Sequence, residues 1–491
     1  MEKAVFPAQI PNWIQGQERP ALTGEMFDKL NPATGRQLCR VARSRAGDVL
    51  QAVRSARESQ PAWAETPPVK RGEILHEMAE RLKKRREEVA QIVALETGKS
   101  FKSALAETDG AVALGFFMAG EGQRLYGRTT TSGIPNRYAL TVRQPIGVAG
   151  LIIPANTPIA NVAWKVFPAL ICGNSAVLKA AEDSPATAWV FGEIAQQGNL
   201  PAGVLNVVQG YGDEAGAPLV ENPDVGVISF TGSTVVGRRI AAAAGERLAK
   251  GSLELGGKNP LVVCDDADLE NAAKWVLLSA FSNSGQRCAS ASRIIVFDAI
   301  YNAFRDLIVE RAKKLKVGPE DDDDFGPVIN EDQLRNMVQC VEQARQRGAT
   351  VLTGGQRLVG PEHRLGFYMA PTILEGVESD DEISKTELFG PITCLYRVKD
   401  FGEALALAND SPYGLTACIH TRSLDRAMEF TRKVQAGVAV VNAGTYGSEP
   451  HMPFGGVKQS GNGWREPGTE ALDIYSDLKD VYISIDPDSL R

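Results

Sequence analysis

Apolar residues recur along this chain in two patterns that alternate in a regular order. Between residues 46 and 98 they return every three or four positions, as at Val49, Ile74 and Leu82, which predicts amphipathic helices. From residue 145 the pattern changes to short apolar runs, each leading through a turn into a helical stretch. Units of this spacing are typical of βα crossovers, so the sequence predicts an α/β fold built on a doubly wound, largely parallel sheet.

The strand–turn–helix units follow one another without an internal repeat or a low-complexity linker. The predicted strands are 147–154 with a helix at 158–170, 176–179 with a helix from 184, 203–209, and 225–230 with a helix from 234. At about 150 residues per domain, a length of 491 residues suggests roughly three domains or lobes. The 43% hydrophobic content is enough to fill sizeable cores.

Composition narrows the classes of function. The formal net charge is −7 with interspersed signs, so we expect no basic face for nucleic acid. The seven cysteines are scattered without a CxxC pair and only four histidines are present, which argues against a disulfide framework or a metal site. The first residues carry no basic segment before an apolar run, and Pro154 interrupts the richest apolar stretch. We therefore expect a cytoplasmic protein outside the membrane.

Two stretches in the second half of the chain carry a nucleophile and a base. Cys288 ends the run Asn-Ser-Gly-Gln-Arg-Cys, and a cysteine attacks a carbonyl carbon as the thiolate, which the positive charge of Arg287 favours. Glu254 begins the run Glu-Leu-Gly-Gly-Lys-Asn-Pro. A glutamate can take a proton from water when burial among apolar neighbours such as Leu253 and Leu255 raises its pKa.

A third stretch ends a predicted strand and contains Asn156. Its side-chain amide, together with the Cys288 N–H, is a suitable donor pair for the oxyanion that forms when a thiolate adds to a carbonyl carbon. Taken singly, each residue has a plainer interpretation, since an asparagine before Thr-Pro is commonly a turn residue and an isolated cysteine is commonly a small buried one.

Cofactor signals are spread over several loops. The glycine-rich run 210–216 has one residue too many before its third glycine to match the dinucleotide fingerprint, and no glycine-rich turn is followed by a P-loop Gly-Lys-Ser/Thr. The strand ending at Phe230 runs through Gly232 and Ser233 into a helix, whose first N–H groups can bind a pyrophosphate. The alternative is that Ser233 only caps that helix.

Together, the motifs around Asn156, Glu254 and Cys288 resemble the aldehyde dehydrogenase superfamily, and the resemblance runs through nearly the whole chain. It implies that NAD is bound by Ile153, Lys179, Glu182, Gly212, Gly232, Ser233, Val236, Glu387 and Phe389. A glutamate at position 182 accepts hydrogen bonds from a free ribose 2′-OH and repels a 2′-phosphate, so NAD is expected over NADP, a preference that Lys179 could relax. Glu182 and Asp183 could also cap the helix from 184.

The departures from the family pattern concern the substrate. Arg287 precedes the nucleophile, as in relatives acting on glyceraldehyde 3-phosphate and on methylmalonate and aminoadipate semialdehydes. Trp164 keeps a common tryptophan, and His451 lies near the expected tunnel mouth, with either a substrate or a loop role. The remaining differences suggest a smaller and more polar pocket wall: Thr157, Asn161, Ser282 and Ser448.

The resemblance also implies a domain organisation. It comprises an NAD-binding domain (1–125 and 145–254), a catalytic domain (255–445), a returning segment that closes the active site (446–470) and an oligomerisation arm (126–144 and 471–491). Alternating apolar positions in the arm, such as Tyr138 and Leu140 or Val481 and Ile483, suit strands that pair across subunits. A homodimer or homotetramer is expected.

The function that these residues predict is NAD-dependent oxidation of a small polar, anionic aldehyde to its carboxylate. A semialdehyde or a phospho- or sulfo-aldehyde would add to Cys288 as a thiohemiacetal, pass through a thioester, and be released by water that Glu254 activates. The alternatives are a CoA-acylating semialdehyde dehydrogenase and a non-catalytic binding or structural protein on the same fold. The presence of both Cys288 and Glu254 favours the hydrolytic enzyme.

Overall fold

The computed structural model describes residues 6–490. Residues 1–5 and Arg491, which the sequence assigned to the NAD-binding domain, to the localisation argument and to the arm, lie outside the described residues. None of the helices between residues 6 and 490 combines the length and the apolarity needed to cross a lipid bilayer.

The helical pattern of residues 46–98 forms three helices, and the predicted strand–turn–helix units follow. The first half of the chain contains β1 (Gln9–Ile10), β2 (Asn12–Ile14), β3 (Gln17–Arg19), β4 (Met26–Leu30), β5 (Gln37–Ala42), α1 (Ala46–Glu65), α2 (Pro68–Lys84), α3 (Arg86–Thr97), α4 (Phe101–Gly120), β6 (Thr129–Thr131), β7 (Arg137–Pro145), β8 (Val148–Ile152), α5 (Pro158–Ile171), β9 (Ser175–Lys179), α6 (Pro185–Gln197), β10 (Leu205–Val208), α7 (Ala217–Glu221), β11 (Val225–Thr231), α8 (Thr234–Glu246) and β12 (Lys250–Glu254).

The second half repeats the alternation of strands and helices. It contains β13 (Asn259–Val263), α9 (Leu269–Phe281), β14 (Ala291–Phe297), α10 (Asp298–Ala312), α11 (Glu331–Gln346), β15 (Thr350–Thr353), β16 (Thr372–Glu375), α12 (Glu382–Lys385), β17 (Ile392–Val398), α13 (Phe401–Asn409), β18 (Tyr413–Gly414), β19 (Thr416–His420), α14 (Leu424–Lys433), β20 (Val438–Val441), β21 (Val457–Lys458), α15 (Ala471–Tyr475) and β22 (Ser476–Ser484).

Two seven-stranded sheets organise these elements. The first has the order β12-β11-β8-β9-β10-β2-β3, with β8 to β12 parallel and β2 and β3 antiparallel at one edge. Buried residues of α1, α7 and α8 pack on one face of it, and those of α2 to α6 pack on the other. The second sheet has the order β15-β16-β17-β14-β13-β19-β20 and is parallel except for β15. The predicted α/β fold class is confirmed.

The strand register decides where the candidate residues meet. Ile152 pairs with Lys179 and with Phe230, and Thr231 pairs with Glu254, so the carboxyl ends of these strands share one edge of the first sheet. In the second sheet Asn259 pairs with Ala291, and Cys288 lies three residues before that strand position. Glu254 precedes β13 and Cys288 precedes β14, so both lead into the amino ends of strands in the second sheet. The candidate site therefore lies between this amino edge, which includes the start of β17, and the carboxyl edge of the first sheet.

The predicted arm forms a small antiparallel sheet with the order β22-β7-β6. Strand β22 pairs with β7 over its whole length, from Ser476 opposite Pro145 to Ser484 opposite Arg137. Strands β7 and β22, which the sequence expected to pair across subunits, therefore pair with each other within one chain. Apolar side chains such as Tyr138, Leu478 and Tyr482 are exposed on this sheet. The domain boundaries proposed from the sequence stay a prediction.

The start of helix α6 is capped from outside its own sequence. Glu96, at the end of α3, accepts hydrogen bonds from the Ala186 N–H at 2.5 Å, the Thr187 N–H at 3.0 Å and the Thr187 hydroxyl at 2.6 Å. Asp183 instead lies between Lys29 and Asn330. Capping by Glu182 or Asp183, which the sequence allowed, is wrong because a buried carboxylate from another helix already satisfies these donors.

Replacing Glu96 by alanine should destabilise the fold. The substitution leaves two buried N–H groups of the first turn of α6 without an acceptor, at a cost of about 1–3 kcal/mol in the free energy of unfolding. The measurement is the Tm of Glu96→Ala beside Glu87→Ala, which removes an exposed glutamate from the same helix and should shift Tm much less. Equal shifts for the two variants would contradict the capping role.

Candidate active site

The loop that precedes Cys288 has an unusual backbone. Asn283, Ser284 and Gly285 follow one another with φ of 55°, 57° and 66°, in the left-handed region that costs side-chain-bearing residues energy. Gly285 also approaches another segment so closely that a Cβ there would lie 2.0 Å from the Gly390 carbonyl oxygen. A glycine is therefore required at this point.

Side chains of the same loop attach it to the segment 326–329. The Ser284 hydroxyl lies 2.7 Å from the Gly326 carbonyl oxygen, and the Gln286 Oε1 accepts a hydrogen bond from the Ile329 N–H at 2.9 Å. These contacts offset the cost of the left-handed turn, because a strained backbone persists only where its surroundings over-determine it.

The nucleophile is held from the other side by Asn259. Its side-chain amide donates to the carbonyl oxygens of Cys288 at 2.7 Å and Ser290 at 2.9 Å, while its Oδ1 accepts from the Thr416 N–H. A Cβ at Gly257 would lie 2.5 Å from the Cys288 carbonyl oxygen. The glycine of the Glu254 motif thus lets the two catalytic motifs pack directly against each other.

Asn156 lies against the same loop. Its Nδ2 donates to the Gln286 carbonyl oxygen at 2.9 Å, and its Oδ1 is buried without a hydrogen-bond partner. An amide group has two hydrogens, so the second remains available for an oxyanion at Cys288. The structure therefore brings Asn156 to the nucleophile loop, as the sequence predicted.

Glu254 ends strand β12 and is 4% exposed, between the buried residues Leu253 and Leu255. Neither of its carboxylate oxygens has a hydrogen-bond partner among the described residues. The returning segment covers it, because Leu255 donates to the Ser460 carbonyl oxygen at 2.9 Å and Glu254 forms a bridge with Gly461. A buried carboxyl group without donors is suited to binding and deprotonating a water molecule.

Burial is the largest influence on the pKa values of the acidic groups in the site. It raises the pKa of the Cys288 thiol to about 12, and the charges of Glu387 and Glu254 act in the same direction, whereas the Ala289 N–H and Arg287 lower it. Burial also raises the pKa of Glu254 well above its ordinary value and that of Glu387 to about 7. The expectation that Arg287 alone would favour the thiolate is therefore corrected, because its effect is smaller than that of desolvation.

A buried ion pair beside Glu254 was missed by the sequence analysis. Lys165 on α5 and Glu466 in the returning segment are fully buried, with Nζ and Oε2 2.9 Å apart, and Ser229 donates to the Glu466 Oε1 at 2.6 Å. The Glu466 charge raises the pKa of Glu254, and the Lys165 charge lowers it. No sequence pattern signals this pair, because its members are 301 residues apart.

The predicted cofactor residues line the carboxyl edge of the first sheet. Ile153 follows β8, and Lys179 ends β9 with its Nζ 2.9 Å from the Glu182 Oε2. Gly212 begins a π-helical turn after β10. The Glu182 side chain is 42% exposed, which leaves its oxygens accessible to a ribose hydroxyl.

The remaining cofactor candidates lie in two places: at the start of α8 after β11, and just before β17 of the second sheet. Gly232 and Ser233 connect β11 to α8, and Ser233 caps α8 by accepting from the Val236 N–H at 3.4 Å, so the capping alternative holds without excluding phosphate binding. Glu387 accepts from the Gly257 N–H at 2.9 Å, and Phe389 has φ of 54° just before β17. Glutamate side chains that can accept hydrogen bonds from ribose hydroxyl groups, together with a helix start that can bind phosphates, fit the parts of a dinucleotide.

The predicted substrate residues are divided between the site and the surface. Trp164 packs edge-on against Phe454, with ring centroids 5.5 Å apart, in an apolar cluster that includes Cys288 and Tyr446. Asn161 is buried, but its amide donates to the Thr157 carbonyl and hydroxyl oxygens, both at 2.9 Å, so both amide hydrogens are engaged within α5. Ser448 and His451 are exposed, and His451 lies 3.6 Å from Glu449.

Arg287 is half-buried, with its guanidinium carbon 4.7 Å from the centre of the Tyr446 ring. No sequence signal pointed to Tyr446, and Ser448 was expected to belong to a smaller and more polar pocket wall. The structure supplies an aromatic ring from two residues earlier. Neighbouring residues of a loop can exchange such a role, which position-by-position comparison does not detect.

The comparisons with known proteins agree with this geometry. The aldehyde dehydrogenase family model matches residues 19–481. The chain belongs to the aldehyde dehydrogenase family. It is 38% identical over 96% of its length to an alpha-ketoglutaric semialdehyde dehydrogenase of Bacillus subtilis and to a 2,5-dioxopentanoate dehydrogenase of Saccharolobus solfataricus, in each case over 97% of the relative.

A solved structure extends the comparison to three dimensions. The betaine aldehyde dehydrogenase of Staphylococcus aureus in complex with NAD+ has a TM-score of 0.95 to this aldehyde dehydrogenase, with 30% identity over 97% of this chain and 95% of the other. The predicted family, fold class and enzyme class are confirmed: this is an oxidoreductase that oxidises an aldehyde to its carboxylate with NAD or NADP. Enzymes of this family are generally oligomeric.

The raised thiol pKa gives this aldehyde dehydrogenase a measurable pH dependence. In the coenzyme-free protein, alkylation of Cys288 by iodoacetamide should accelerate about tenfold per pH unit from pH 7 to pH 10, because the thiolate fraction grows in that proportion below the pKa. Mass spectrometry of the labelled peptide measures the rate. A plateau below pH 9 would show that the thiol is ionised more readily than its burial implies.

Proposed function

We propose that this aldehyde dehydrogenase oxidises a short semialdehyde that carries a carboxylate at its other end, of the 2,5-dioxopentanoate type. The observation that carries the proposal is the guanidinium of Arg287. Within residues 6–490 it makes no ion pair, and its Nε is buried without a hydrogen-bond partner, although it directly precedes the nucleophile. A half-buried cation without a protein counter-ion is suited to bind an anionic substrate group.

The surroundings of Arg287 support this choice. The Tyr446 ring orients the guanidinium, and Trp164 and Phe454 supply an apolar wall for a short carbon chain. Two relatives that are 38% identical to this chain carry names of enzymes for α-ketoglutaric semialdehyde and 2,5-dioxopentanoate. Both names denote a molecule with an aldehyde at one end and a carboxylate at the other.

The proposed reaction uses three residues of the chain. The Cys288 thiol loses its proton to water, its sulfur bonds to the aldehyde carbon as the carbonyl double bond becomes a single bond, and the Asn156 amide donates to the oxyanion that forms. NAD, held by the residues at the carboxyl edge of the first sheet, would supply the hydride acceptor that the thiohemiacetal needs in order to become a thioester on Cys288. Glu254 then takes a proton from a water molecule that attacks the thioester, and the carboxylate is released. The burial of Glu254 favours hydrolysis over transfer to CoA.

The coenzyme preference and assembly belong to the same proposal. Lys179 and Glu182 form an ion pair at the end of β9, and the exposed side of the Glu182 carboxylate accepts a ribose 2′-OH but repels a 2′-phosphate, which favours NAD over NADP. The exposed apolar residues of the β22-β7-β6 sheet support a homodimer or homotetramer in which this sheet contacts another subunit.

Replacing Glu254 by glutamine separates acylation from deacylation. The amide has a similar size but cannot take a proton, so one equivalent of NADH should form at each site while later turnover slows by about 10²–10⁴-fold. Stopped-flow absorbance at 340 nm gives both phases. A wild-type steady-state kcat in Glu254→Gln would exclude this residue as the deacylation base.

Replacing Arg287 by leucine tests the anionic substrate. A hydrogen bond between a partly desolvated guanidinium and a carboxylate contributes about 1.5–3 kcal/mol, so KM for 2,5-dioxopentanoate should rise about tenfold to a hundredfold. The kcat/KM for a neutral aldehyde of equal length, such as pentanal, should change little. Arg287→Lys is the matched control and should lose less, since it keeps the charge. An equal loss for charged and neutral aldehydes would refute the proposal.

A further inference from the structure

A second buried ion pair lies beside the backbone of Asn156. Lys99, just before helix α4, and Glu107, within it, have side chains that are 7% and 8% exposed, with Nζ and Oε2 2.6 Å apart. Neither residue belongs to the motifs that identified the site. The Lys99 Nζ also donates to the backbone carbonyl oxygen of Asn156 at 2.8 Å.

Glu107 ties the same pair to the start of helix α5. Its Oε1 accepts from the Ile159 N–H at 3.1 Å and the Ala160 N–H at 3.4 Å, and Thr157 at the N-cap makes no capping bond with its own side chain. The carboxylate thereby satisfies the first-turn donors of α5 and the ammonium of Lys99 together. The Asn156 backbone is thus held by Lys99 just before α4, and the start of α5 that follows it is held by Glu107 within α4.

A second donor reaches the Asn156 carbonyl from the nucleophile loop. The Asn283 Nδ2 lies 3.3 Å from the Asn156 carbonyl oxygen and 3.2 Å from the Gln286 carbonyl oxygen, which also accepts from the Asn156 Nδ2. Because the Asn156 Oδ1 has no hydrogen-bond partner among the described residues, the side-chain amide is oriented only by the hydrogen bond from its Nδ2 and by the position of its backbone. A shift of that backbone would move the amide relative to Cys288.

We propose that Lys99 is a positioning residue for the oxyanion donor: with Glu107 as its counter-ion, it holds the Asn156 backbone where the side-chain amide reaches an oxyanion at Cys288. The proposal rests on the role assigned above to Asn156. Lys99 acts on the oxyanion through the Asn156 backbone that it binds, not by touching the reacting atoms. Its loss should therefore slow only those steps in which an oxyanion forms.

Two reactions of Cys288 separate this role from a general effect on the fold. Acylation by p-nitrophenyl acetate passes through a tetrahedral oxyanion, whereas alkylation by iodoacetamide displaces iodide at a saturated carbon and forms none. In Lys99→Met, acylation and the pre-steady-state NADH burst should slow about tenfold to a hundredfold, because small misplacements of a catalytic group have effects of this size. Alkylation should stay within twofold of wild type. Lys102→Met, which removes an exposed lysine three residues on, is the control and should leave both rates unchanged.

A double-mutant cycle with Asn156→Ala decides whether Lys99 acts through the amide. Alanine keeps the backbone carbonyl that Lys99 binds but removes the donor, so adding Lys99→Met to Asn156→Ala should cause no further loss of acylation. A further loss equal to that in the wild-type background, or an equal slowing of alkylation, would overturn the proposal. Normal acylation in Asn156→Ala alone would instead remove the proposed role of Asn156, and with it this inference.

A second variant keeps the test decisive if Lys99→Met fails to fold. Asn283→Gly removes the other donor to the Asn156 carbonyl and suits the left-handed backbone of that position, with φ of 55°. It should slow acylation selectively and show the same absence of additivity with Asn156→Ala. Unchanged acylation in Asn283→Gly would refute the view that this carbonyl positions the amide.

Discussion

The chemistry of this protein depends on the meeting of two sheet edges. The carboxyl edge of the first sheet ends in Lys179, Thr231 and Glu254, and the amino edge of the second begins just after Cys288 and Glu387. The enclosure removes water from a thiol and two carboxyl groups, so burial is the first cause of each raised pKa. Neutral forms are favoured in the resting site, so Cys288 must lose a proton before it attacks a carbonyl carbon and Glu254 must be ionised before it can take a proton from water.

Helix α5 and the residues just before it contribute side chains to several parts of this site. Asn156 lies two residues before it, Trp164 forms a wall of the apolar cluster at Cys288, and Lys165 pairs with Glu466 beside Glu254. The helix start is held by Glu107, which in turn holds Lys99. Buried ion pairs contribute little net stability because desolvation offsets their attraction, but their geometry is specific. Here the two pairs flank the oxyanion donor and the base.

Arg287 differs from these cations because no carboxylate of the described residues neutralises it. Lys99 and Lys165 each have a buried glutamate within 3 Å, and their charges are balanced inside the protein. Arg287 packs over the face of the Tyr446 ring, and the carboxylate of Glu107, which also acts on it, is already paired with Lys99. An unbalanced guanidinium beside Cys288 suits the anionic substrate proposed here, since a neutral substrate would leave it unpaired.

The sequence by itself determined the fold class, the alternation of strands and helices from residue 147 to the helix that begins at 234, and the identities of Cys288, Glu254 and Asn156 as candidates, because hydrophobic periodicity and local motifs are properties of neighbouring residues. It did not determine Glu96 as the cap of α6, the Lys165–Glu466 pair, or the contact of Lys99 with Asn156. These depend on residues 57 to 301 positions apart that only the packed sheets and helices bring together. The same holds for the pocket wall, where Tyr446 packs in the apolar cluster with Cys288 while Ser448 is exposed, and for Asn161, whose amide is engaged by Thr157 at the start of its own helix. The local sequence indicates which chemistry a side chain can carry out. The tertiary contacts decide which other side chains lie close enough to take part.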